Sequence, residues 1–131
     1  VAIIFPDVEK LLVTHLTSAL AGIYGAGVVR VGTKKAPADA TQPSREVVIV
    51  GQYSGSLDDV RAQASAVIDV YANDYETASQ LGLQCGALVV EISRVHIKRA
   101  VVSLGPVRLV EESTQEKRSL SVDLIVKGAL L

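Results

Sequence analysis

The chain has 131 residues, 49% apolar and 21% charged, with 13 basic and 14 acidic side chains and a formal net charge of −1. That length supports one core but not two, and near neutrality argues against unspecific attraction to nucleic acid or anionic lipid as the mode of action. With no Trp and one Phe, Val, Ala, Leu and Ile must build the interior, which suits sheets and small-residue packing better than aromatic-lined pockets.

A mean hydropathy of +0.35 with so few charges predicts an apolar part of the surface that a partner covers, hence an oligomer. The single cysteine, Cys85, cannot close an intrachain disulfide; it is expected to be an inert buried thiol, which fits a reducing compartment. No apolar run reaches membrane-spanning length. The opening five residues lack the basic stretch and cleavage site of a signal peptide.

Pro6 and Asp7 open a first helix, the proline in the first turn and the carboxylate at the positive end of the dipole. Val8, Leu11, Leu12, Leu16, Ala19 and Leu20 form its apolar stripe, Phe5 packs back on its first turn, and Gly22 and Gly25 bracket its end. His15 lies at the stripe's edge with no partner in sequence and reads as a packed or half-exposed histidine. Residues 28–33 form a short strand. Residues 34–45, with two prolines and three basic side chains, are too long for a tight turn and read as a projecting loop or long hairpin tip. A second strand covers 46–53, and its Val-Val-Ile-Val run predicts burial on both faces.

Residues 60–92 organise the chain. Val60, Ala62, Ala64, Ala66, Ile68, Val70 and Ala72 alternate with polar residues, so one face of a long strand is apolar. The period then changes: Asn73 precedes Glu76 by three, a capping-box-like start, and Ala78, Leu81, Cys85, Leu88, Val89 and Ile92 follow at helical spacing. Beyond it, Arg94, His96 and Lys98 alternate with Val95 and Ile97. A strand interrupted at Gly105-Pro106 then runs to Val110, and residues 111–117 make a charged turn. Leu120, Val122, Leu124 and Val126 mark a final strand. The order α-β-β-β-α-β-β gives an α+β domain over residues 1–131, a mainly antiparallel sheet with two helices packed on its apolar face.

Residue patterns that carry chemistry are absent. The Gly22–Gly27 turn follows a helix and precedes a strand, the reverse of a dinucleotide-binding turn, and reads as a helix terminator. His15, Cys85 and His96 lack zinc spacing. No serine sits in a nucleophile elbow. The pairs Asp58-Asp59 and Glu111-Glu112 fall in turns and read as solvated charges or caps. Arg94, His96, Lys98 and Arg99 lack stacking aromatics, so a solvated edge or half of an intersubunit salt-bridge set outweighs a nucleic-acid patch. No catalytic residue, cofactor site or metal site is therefore expected.

Phe5-Pro6-Asp7-Val8-Glu9 before a short helix, the passage from Val67 to Ala78, the Gly105-Pro106 break and a closing strand ending Leu124-Ile-Val-Lys-Gly128 resemble the small tail terminator (tail completion) proteins of long flexible-tailed bacteriophages, particularly of actinobacterial phages. The resemblance spans nearly the whole chain through order and texture. It implies a virion protein, assembled in the bacterial host cytoplasm, that forms a hexameric ring on the finished tail tube, stops addition of tube protein and meets the head-side connector. DNA passes the channel without being read by sequence. By placement, ring or partner contacts would fall on the 34–45 loop (Lys34, Lys35, Arg45) and near the later strand edge (Arg94, Lys98, Arg99). Two other readings compete: a head-side connector or stopper of the same neck, and a small oligomeric enzyme or ligand-binding module whose intersubunit site uses Tyr71, Tyr75, His96 and Arg99.

Burying a Leu contributes about 1.5–3 kcal/mol in a domain stabilised by about 5–15 kcal/mol. Leu124→Asp is therefore expected to abolish the cooperative thermal transition seen by circular dichroism.

Overall fold

The structure, a computed structural model, describes residues 2–39, 41–110 and 114–130. In chain order its elements are β1 (Ile3–Ile4), α1 (Val8–Tyr24), β2 (Arg30–Gly32), β3 (Arg45–Ser56), β4 (Arg61–Ala72), α2 (Tyr75–Val89), β5 (Ile97–Leu109), β6 (Glu116–Lys127) and β7 (Ala129–Leu130). The expected α-β-β-β-α-β-β order holds, with two-residue strands added at each end that pair with one another. Neither of those two carries enough residues for a readable period.

α1 begins where Asp7 turns extended and its Oδ1 accepts the Lys10 N–H at 3.2 Å. It ends at Gly25, whose φ of 103° suits glycine, so the glycine-rich turn is indeed a helix terminator. Val8, Leu12, Leu16 and Leu20 are its buried line. α2 differs from expectation at its start. Asp74, not Asn73, is the cap: its Oδ1 accepts the Thr77 N–H at 2.8 Å and its Oδ2 accepts the Thr77 hydroxyl at 2.8 Å. Asn73 instead accepts from Gln115 Nε2 at 3.1 Å. A carboxylate is the better acceptor beside the positive end of the helix dipole.

The five-stranded sheet runs β2-β3-β4-β6-β5. β4 lies at its centre, paired along its whole length with β3 and β6, both antiparallel. Its expected alternation is present: Ala62, Ala64, Ala66, Ile68, Val70 and Ala72 are buried. Val60, placed on that face by the pattern, precedes the strand and is 45% exposed. Both helices pack on this one face, and their buried lines join β3, β4, β5 and β6 in a single cluster.

Three further expectations change. β2 pairs with β3 in parallel, so the connection between Gly32 and Arg45 joins parallel neighbours and is not a hairpin tip. Burial on both faces of β3 holds for Val47, Val48 and Ile49, but Val50 is exposed because the covering loop ends before it. The later strand starts at Ile97, leaving Arg94 and His96 in the preceding turn, so 94, 96 and 98 share no strand face.

β5 follows β6 through three register shifts, the last of which, between Leu104 and Val107, spans the cis Gly105-Pro106 bond. Gly82 of α2 sits against this irregular stretch, where an added Cβ would lie 3.1 Å from the Pro106 Cβ. Gly105 has φ 91°, and a Cβ there would stand 2.5 Å from the Ser119 carbonyl oxygen. Gly105→Ala should therefore cost about 1–3 kcal/mol. Gly22→Ala, within α1 and with nothing within 4 Å of its added Cβ, should add up to about 1 kcal/mol. Urea unfolding midpoints that move in opposite directions check the pair.

Candidate functional site

With both helices on one face, the opposite face of the sheet carries no helix. Side chains on this outer face follow from register. Val48, Val50, Val67, Asp69 and Tyr71 come from β3 and β4; Lys117, Ser119, Ser121, Asp123 and Ile125 from β6; Arg99, Val101, Leu104, Val107 and Leu109 from β5.

One end of this face is closed. Glu46 is fully buried there, its Oε1 accepting from Lys35 Nζ at 2.7 Å and its Oε2 from the Ala36 N–H at 2.8 Å and from Arg30. The Lys35 and Lys117 ammonium groups lie 4.8 and 5.4 Å from the centre of the Tyr71 ring. Gln115 donates to the Pro43 carbonyl at 2.9 Å. A buried carboxylate needs donors such as Lys35, Ala36 and Arg30, and with the Gln115 bond they hold Lys35, Ala36 and Pro43 at that end of the sheet.

Beyond this closure the face opens. Val50 is 56% and Leu104 62% exposed, with Val67, Val101, Val107 and Leu109 also exposed. Ser65, Ser119 and Ser121 make a low floor between the two apolar margins. The face thus carries two exposed apolar margins separated by a polar floor.

The six basic residues singled out in the sequence occupy separate places. Lys34 and Lys35 sit at the Glu46 end with Arg45, whose guanidinium stacks 5.1 Å from the Tyr24 ring centre. Arg94 Nη2 donates to the Val90 carbonyl at 2.8 Å, closing the C-terminal end of α2. Lys98 and Arg99 are exposed at the start of β5, roughly 30 Å away at about 3.3 Å per strand residue. The suggested intersubunit quartet also fails to converge within one chain: Tyr71 and Tyr75 lie at the first end, on opposite faces of the sheet, while His96 and Arg99 lie at the second.

His96 is exposed and lines an open groove of about 550 Å³ between α1 and the turn before β5, with Lys10, Leu11, His15 and Ile92. His15 Nε2 donates to the Leu88 carbonyl at 2.6 Å, tying α1 to α2. Among the described residues no group of three His, Cys, Asp or Glu side chains can hold a metal ion. Asp58 is a turn cap: it accepts the Val60 and Arg61 N–H groups at 3.0 and 2.8 Å, and these bonds with the Arg61 side chain hold its carboxyl below the usual range. Glu111 and Glu112 lie outside the described residues. No helix among the described residues is long and apolar enough to cross a membrane.

The outer face escaped the sequence reading because its apolar residues come from four strands and meet only through register. Within β4, the apolar Val67 at an outward position of the period-two run was the available signal.

No protein-family model matches the chain, and no curated protein matches it in sequence. Among solved structures, a chain from the virion of a native gene transfer agent particle shares the fold at a TM-score of 0.67, with 18% identity over 92% of this chain and 95% of that one. The two chains thus share an architecture from end to end, with no large insertion in either.

Burial pushes the Cys85 thiol up to about 12, so its thiolate is scarce at neutral pH. Labelling of the native protein by a disulfide reagent at pH 8 is expected to be on the order of a thousandfold slower than in denaturant; fast native labelling would show that the α2 face is not closed.

Proposed function

We propose that this chain is a structural subunit of a virion, assembling as a homo-oligomeric ring, a hexamer by family resemblance, that closes the tail tube and joins it to the head-side connector. The observation that carries the reading is the end-to-end fold shared with a chain of the gene transfer agent virion. Two others support it: the sequence resemblance to tail terminator proteins, and a sheet with one face uncovered by its own helices. A ring subunit must offer two surfaces to its neighbours and keep a further surface for the tube and the connector. The open sheet face is one such surface. DNA passes the ring's channel without sequence-specific contact, consistent with a net charge of −1. The role is one of assembly and needs no catalyst or cofactor.

Deleting the coding sequence from the particle that encodes it tests the reading. Tails longer than normal, restored to length by the intact chain, are the expected result. Tails of normal length on heads that leak DNA would assign the chain to a head-side stopper instead. Normal infectious particles would contradict both positions.

A further inference from the structure

We draw no further inference here: the strongest candidate, the open groove between α1 and the turn before β5 lined by Lys10, Leu11, His15, Ile92 and His96, is an unpartnered surface, and nothing in the structure shows what covers it.

Discussion

The architecture depends on the alternation along β4. This strand is central and paired on both sides, so every second side chain must face the helices and the rest must face away. Its inward residues are three alanines followed by Ile68, Val70 and Ala72, all buried. Small side chains at 62, 64 and 66 leave room for the larger Leu12, Leu16 and Leu124 that share the cluster. A one-residue slip would turn Gln63, Ser65 and Asp69 into that core, a cost no single domain of this size could absorb.

The same alternation creates the open outer face. Once both helices occupy the inner face, no helix among the described residues covers the outer one, and Lys35, Ala36 and Pro43 are held at one end of it. That closure is polar and charged, built on the buried carboxylate of Glu46, while the uncovered remainder is apolar at its margins and small in the middle. The lysines of the 34–45 segment are therefore partly committed within the chain: Lys35 neutralises Glu46, while Lys34 is left exposed. The architecture itself is shared with a chain of a gene transfer agent virion.

Where local chemistry decides, the sequence was readable. Asp7 stands at the start of α1, although Pro6, expected in the first turn, lies outside the helix; Gly25 ends it, the period-two run of β4 sets the sheet's inner face, and the break at Gly105-Pro106 appears as an irregular β5. Where distant residues decide, it was not. β2 pairs with β3 in parallel, with Arg30 of β2 bound to Glu46 of β3, 16 residues away. Asp74 rather than Asn73 caps α2, and Asn73 accepts from the sequence-distant Gln115 instead. The alternation of Arg94 and His96 imitated a strand, yet a turn occupies that stretch, with Arg94 bound to the end of α2. The basic residues grouped by sequence proximity lie at separate ends of the sheet because β3 and β5 begin at opposite ends of it.

An α+β layer with one face left bare should not remain alone in solution. Sedimentation velocity over a wide range of protein concentration tests this most directly. The account predicts a discrete species several times the 13.8 kDa chain mass, dissociating only on dilution; a 13.8 kDa particle at every concentration would contradict it.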